Sequence, residues 1–307
     1  MRLQAQLQVS TLIFAVLLST SAQAEVIRDH TDVDLIPSGK GWGEHHPVHA
    51  KAKPGSGSNG INYHGGPVMS GTTNVYYIWY GNWSGSSATT ILDNFANGLS
   101  GSPYYNINTT YYDSAPNPNP GPVANSVVLK GQMYNNYSLG KSLSDAGVAS
   151  VVSSAIGGGT LPADANGVYF VLTSPDVNES SGFCTQYCGW HTHGTMSGVD
   201  IKYAFVGNPD RCPSACEAQT VGPNGNAGAD AMASIIAHEL SEAVSDPDLN
   251  AWFDRKGEEN GDKCAWNFGA TYVAANGASA NVNLGGLNYL IQQMWVNANG
   301  GSCALSH

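Results

Sequence analysis

His238, Glu239 and Glu242 stand in the run Ile235-Ile236-Ala237-His238-Glu239-Leu240-Ser241-Glu242-Ala243-Val244, and on a helix that spacing is suited to metal chemistry. Residues four apart lie one turn above each other on the same face, so the imidazole of His238 and the carboxylate of Glu242 can grip one ion. Glu239, about 100° further round, stands beside that ion, where it can serve as general base toward a water the ion acidifies. A catalytic zinc takes three protein ligands and leaves a position for water. The run Glu258-Glu259-Asn260-Gly261-Asp262-Lys263-Cys264 offers Glu259 as the third ligand and Asp262 as the carboxylate that orients His238. Glu258, Asp254 and Asp246 compete for the ligand place.

The helix follows the H-E-x-x-H pattern of zinc peptidases with one departure: a Glu replaces the second His. Met232, Ile235, Ile236, Leu240, Ala243 and Val244 form an apolar stripe of helical period, with Ser234, His238, Ser241, Glu242 and Ser245 mostly opposite. A solvated polar face has the same signature, and the helix by itself does not separate the two readings.

The elements that must position these residues alternate. Asn74 to Tyr80 reads as a strand by its aromatic and β-branched content, and Ala88 to Leu99 as a helix with Ile91, Leu92, Phe95 and Leu99 on one face. Ser126 to Leu129 is a strand, Ser142 to Ile156 a helix, and Val168 to Leu172 and Ile201 to Val206 are strands. After Pro223-Asn224-Gly225 the helix of His238 begins at Asp230 and is closed by Asp246-Pro247. Thr271 to Val273 and Tyr289 to Val296 are short strand candidates between Asn/Gly turns. This predicts a single α/β domain, a mixed sheet with packed helices and a zincin-like active-site helix.

Residues 1 to 24, with Arg2, the apolar run Thr11 to Leu18 and Ala22-Gln23-Ala24, read as a secretory signal peptide. The apolar run is too short to span a bilayer, so a released, extracellular protein is expected. Residues 25 to 60 read as a flexible polar arm carrying His45, His46 and His49, and residues 61 to 307 as the folded domain. A formal net charge of -11 argues against a nucleic-acid partner. The six cysteines of an exported chain favour disulfides. Their spacing suggests two local bridges, Cys184 to Cys188 and Cys212 to Cys216, plus Cys264 to Cys303; a zinc site of four thiolates is the rival. Tyr76, Tyr77, Trp79, Tyr80, Trp83, Tyr104, Tyr105, Tyr111 and Tyr112 either stack on sugar rings or pack the interior.

Several segments together resemble one family, the secreted EXORDIUM or phosphate-induced proteins best known from plants. They are Tyr63-His64-Gly65-Gly66-Pro67-Val68, Ile78-Trp79-Tyr80-Gly81, Tyr137 to Leu143, Val171 to Ser174, Phe183-Cys184 to Cys188-Gly189-Trp190-His191, Val206-Gly207-Asn208 into Cys212-Pro213 and Cys216, Pro223-Asn224-Gly225, and Ile236 to Trp252. The resemblance runs from about residue 61 to the C-terminus. It implies an extracellular, cell-wall-associated protein linked with growth, and it pairs the H-E-x-x-E element with the Glu-x-Gly-Asp-x-Cys element at Glu259 to Cys264, as a shared site requires. His191 falls on a family-like position and is a reserve ligand. With His193 it would share one face of a strand; the alternative is a loop histidine bonded to backbone beside a disulfide.

These observations point to a zinc-dependent peptidase. His238, Glu242 and Glu259 hold one zinc ion, Glu239 is the base, Asp262 supports His238, and a peptide or protein is the substrate. The alternative is a non-catalytic cell-wall or polysaccharide-associated growth or signalling protein with a structural or vestigial ion.

Overall fold

Five strands form the central sheet: β1 (Thr73–Tyr80), β2 (Val127–Asn135), β3 (Gly167–Thr173), β4 (Gly189–Met196) and β5 (Val199–Val206), in the order β2-β1-β3-β5-β4. The computed structural model describes residues 60 to 307 except Ala115 and Pro118. The signal peptide, nearly all of the polar arm and its three histidines lie outside the described residues. β1 runs parallel to β2 and β3, and β3 parallel to β5; β4 alone is antiparallel, to β5. The sheet is thus mixed, as expected from the alternation of strands and helices. β3 is buried throughout and β1 at every position but Asn74, which is why both read as near-continuous apolar runs.

The β4–β5 hairpin turns through Ser197-Gly198, both with positive φ (51° and 78°), the two-residue turn whose twist matches its strands. In β2 the pairing with β1 slips by one residue, Val75 facing Leu129 and Tyr76 facing Gly131, so Lys130 is bulged out.

Three helices cover the sheet: α1 (Ala88–Leu99), α2 (Asp145–Gly157) and α3 (Ala227–Ser245). α1 and α3 pack together, α3 lying on β3, β4 and β5; α2 packs on the same three strands and so covers the opposite face. Ser144 caps α2, its side chain accepting from the N–H of Gly147 at 3.2 Å. Asn226 caps α3 in the same way through Ala229 at 3.0 Å, so the helix starts three residues earlier than Asp230. Asp246 ends it, with Oδ1 accepting the N–H groups of Asn250 and Ala251. Every residue of α3 from Met232 to Ser245 is buried. The polar side of this helix therefore faces protein, which removes the solvated-face reading.

After α3 the chain forms short two-stranded pieces. Trp252–Phe253 pairs with Asn62–Tyr63, Tyr272–Val273 with Ser279–Ala280, Val282–Leu284 with Leu287–Tyr289, and Met294–Val296 with Ser302–Ala304. The single strand expected over Tyr289 to Val296 is split between two of these. Of the aromatic residues considered as a sugar-stacking face, Tyr76, Tyr77, Trp79, Tyr80, Trp83, Tyr104, Tyr105 and Tyr111 are buried in the core, and Tyr112 alone is exposed, at 51%.

The disulfides correct the expected local pairing. Cys184 bonds Cys212 and Cys188 bonds Cys216, with Cα–Cα distances of 5.8 and 5.7 Å. The single turn Pro213–Cys216 sets Cys212 and Cys216 side by side on one face. Side chains one helical turn apart point the same way rather than at each other, so each reaches across to the 184–188 loop. The two bonds clamp the open end of the β4–β5 hairpin. The third joins Cys264 to Cys303.

Candidate metal centre

α3 turns His238, Glu239 and Glu242 toward the β4 strand and the 254–264 segment, and all three are buried. His238 Nε2 lies 2.9 Å from Glu242 Oε1, as the spacing of four implies. β4 contributes His191, whose Nε2 is 2.9 Å from Glu259 Oε2 and 3.7 Å from Glu242 Oε2. The reserve ligand therefore sits within the cluster, on a strand rather than in a loop. Asp262 Oδ1 stands 3.6 Å from His238 Nε2. The arrangement falls into two groups of ligand atoms, each spanning no more than 4.8 Å: His238 with Glu242 and Asp262, and His191 with Glu242 and Glu259. Glu259 thus stands with His191, and Asp262 with His238.

The 254–264 segment is fixed by polar contacts to α3. The N–H of Asp262 donates to Glu242 Oε1 at 3.1 Å, and Asn260 Nδ2 donates to Ser241 O and Ser245 Oγ, both at 3.0 Å. The N–H of Glu259 donates to Asp262 Oδ2 at 3.1 Å. Gly261 lies against the cluster itself: a Cβ there would stand 2.8 Å from both Glu242 Oε1 and His238 Cδ2. The N–H of Trp295 holds the segment from behind, donating to Asn260 O at 3.0 Å.

The competing carboxylates have other work. Asp246 caps α3. Asp254 accepts the N–H groups of Lys256 and Glu258 through Oδ1, and Lys263 Nζ at 3.1 Å through Oδ2. Glu258 reaches the surface beside Lys256 and Lys263.

Burial dominates the electrostatics. It pushes Glu239 well above the usual carboxylate range, with the Glu242 and Asp262 charges adding to the effect, and it raises Glu242 to about 7. It lowers His191 to about 3. Burial also disfavours the charged form of His238, but Glu242, Asp262 and Glu239 outweigh it and hold that imidazole well above its ordinary pKa. Neither carboxylate oxygen of Glu239 has a hydrogen-bond partner among the described residues, nor does Nδ1 of His191. Imidazoles and carboxylates converging with unused donor and acceptor atoms match what a divalent transition metal takes.

A third group brings His193 and Asp200 of the β4–β5 hairpin together with Asp248 from the turn after α3. Lys202 Nζ already lies between its carboxylates, 2.8 Å from Asp200 and 3.2 Å from Asp248. It is an ion-pair network tying the turn after α3 to the hairpin.

No helix among the described residues is long and apolar enough to cross a membrane. No solved structure matches the chain. Protein EXORDIUM-like 5 of Arabidopsis thaliana is 33% identical over 277 residues, covering 76% of this chain and 75% of the relative. Protein EXORDIUM-like 3 of the same plant is 32% identical, covering 76% and 80%, and Protein PHOSPHATE-INDUCED 1 of Nicotiana tabacum is 26% identical, covering 63% and 67%. The model of the phosphate-induced protein 1 conserved region matches residues 61–305, a span that holds the sheet, α3 and both halves of the buried cluster, and the chain belongs to that family.

Proposed function

We infer that the protein is an exported metal-dependent hydrolase acting on peptide bonds, with zinc as its ion and His238, Glu242 and the carboxylates of the 259–262 segment around it. Glu239 carries the reading. It is wholly buried, follows His238 directly on α3, and leaves both carboxylate oxygens without a hydrogen-bond partner among the described residues. Leaving a buried polar group unpaired costs on the order of 1–3 kcal/mol, and a group kept at that cost calls for a task. A bound zinc supplies Lewis acidity and lowers the pKa of water towards about 7. Glu239, directly beside His238 on α3, would be the residue placed to accept a proton from such a water, its buried carboxyl being more basic than an ordinary glutamate. Imidazole among the donors favours zinc over calcium, and the carboxylate share also suits manganese. Three disulfides support export to an oxidising compartment.

The test is elemental analysis of protein purified without chelators, read with cleavage of a broad peptide mixture. Bound metal with cleavage supports the hydrolase; absence of metal even after zinc is offered removes it.

The burial of His191, His238, Glu242 and Glu259 favours a second reading, in which the ion is structural and the protein is a non-catalytic, cell-wall or polysaccharide-associated one. That reading expects bound metal, no cleavage of any peptide, and retention on wall polysaccharide.

A further inference from the structure

Glu242 divides its two oxygens between two histidines: Oε1 lies 2.9 Å from His238 Nε2, and Oε2 lies 3.7 Å from His191 Nε2. A carboxylate serving one ion has no need of this arrangement. Each histidine brings a second carboxylate of its own. His191 Nε2 has Glu259 Oε2 at 2.9 Å, and His238 Nε2 has Asp262 Oδ1 at 3.6 Å. The two donor sets are therefore matched, one imidazole and one terminal carboxylate each, with Glu242 common to both. Glu239, fully buried and with both oxygens unpartnered among the described residues, sits on the same helical turn as a further oxygen donor or base.

We propose that this cluster is a two-cation centre, with Glu242 bridging a divalent ion at His238 and Asp262 to a second at His191 and Glu259. The proposal rests on the cation-binding reading given above and changes its stoichiometry. Charge supports it. Four buried carboxylates, Glu239, Glu242, Glu259 and Asp262, converge with two imidazoles, and imidazoles that ligate a metal are neutral. Two divalent cations balance four carboxylates; one leaves a buried excess of two negative charges, which an interior tolerates poorly. The chemistry is that of two-metal hydrolytic sites, in which paired ions about 3.5–4 Å apart clamp the attacking and departing oxygens. Zinc and manganese are the ions this donor set takes. Gly261 fits the same picture, since its missing side chain lets the 259–262 backbone close against His238 and the shared Glu242.

The experiment loads the full secreted chain with zinc, removes loose metal by gel filtration and counts ions per chain. Two per chain is expected. His191→Ala and His238→Ala should each fall to one, and Glu242→Gln should fall below the wild-type count by more than either. One ion in the wild type, unchanged by His191→Ala, overturns the two-cation centre while leaving the cation-binding reading intact; no ion at all overturns both. Should a variant fail to fold, the wild type loaded with manganese decides alone. Magnetically coupled Mn2+ in its electron paramagnetic resonance spectrum supports the bridge, and the sextet of isolated Mn2+ at full loading refutes it.

Discussion

The backbone N–H of Asp262 donates to Glu242 Oε1 at 3.1 Å, so the loop after α3 is tied to the helix through one of the side chains proposed to hold the ion. Loop positioning and the proposed ligation share one carboxylate. Disturbing either partner should therefore register in metal retention before it registers in the sheet.

Glu239→Gln keeps the size and shape of the side chain and removes the base. If the protein is a hydrolase, cleavage should fall by about 10²–10⁴-fold while metal content and melting temperature stay near wild type. A variant as active as wild type would remove Glu239 from the chemistry.

Gly261→Ala places a methyl 2.8 Å from Glu242 Oε1 and His238 Cδ2, and since φ at this residue is -71°, the penalty is one of space alone. Overpacking of this kind costs about 1–3 kcal/mol. Metal should be released at lower chelator concentration than in wild type, measured by chelator titration. Retention equal to wild type would show that the backbone moves aside freely.

Cys303→Ser opens the bond to Cys264, which closes a loop with a sequence separation of 39. The loop-entropy model assigns such a bond roughly 4 kcal/mol. The variant should lose thermal stability and bind metal more weakly. Non-reducing peptide maps of the wild type should join Cys184 to Cys212 and Cys188 to Cys216; a peptide linking Cys184 to Cys188 would contradict the fold around β4.

Asp176 gives a pH-dependent test away from the cluster. Burial works against its carboxylate, but Lys141 Nζ at 2.7 Å, Ser174 Oγ at 2.7 Å and Tyr137 OH at 2.9 Å outweigh it and hold its pKa down at about 2. A pKa below the ordinary value of about 3.9 means stability that is present above roughly pH 4 and lost as pH falls through about 2. Asp176→Asn should therefore lower the melting temperature slightly at neutral pH, less so in high salt, with the difference shrinking as pH falls towards 2 and vanishing below it. An equal loss at both pH values would mean that packing, not charge, is at stake.

His238 and Glu242 were legible because four-residue spacing on a helix is a local rule, and the structure keeps them 2.9 Å apart. That Glu259 meets His191 and Asp262 meets His238 was not, because it depends on where β4 lies beside α3. The β4 strand itself left a local sign, the Ser197-Gly198 turn, but Gly189, Gly194 and two histidines between cysteines read as easily as loop. Alternating polarity along α3 could not distinguish solvent from a buried polar cluster; seeing that required the layers above and below. The cysteines misled for a related reason. Spacing of four suggested neighbours in space, and helical geometry sets such neighbours parallel.

β4 is an edge of the sheet, yet seven of its eight residues are buried, so its rim is closed to another strand. The opposite rim, β2, leaves Val128, Lys130, Gln132 and Tyr134 exposed. Unguarded, such a rim is where one molecule would zip onto the next at high concentration. The bulge at Lys130 breaks the repeat midway and puts a positive charge at the break. The one-residue slip thus falls where an unbroken exposed edge would otherwise offer a template for a neighbouring strand.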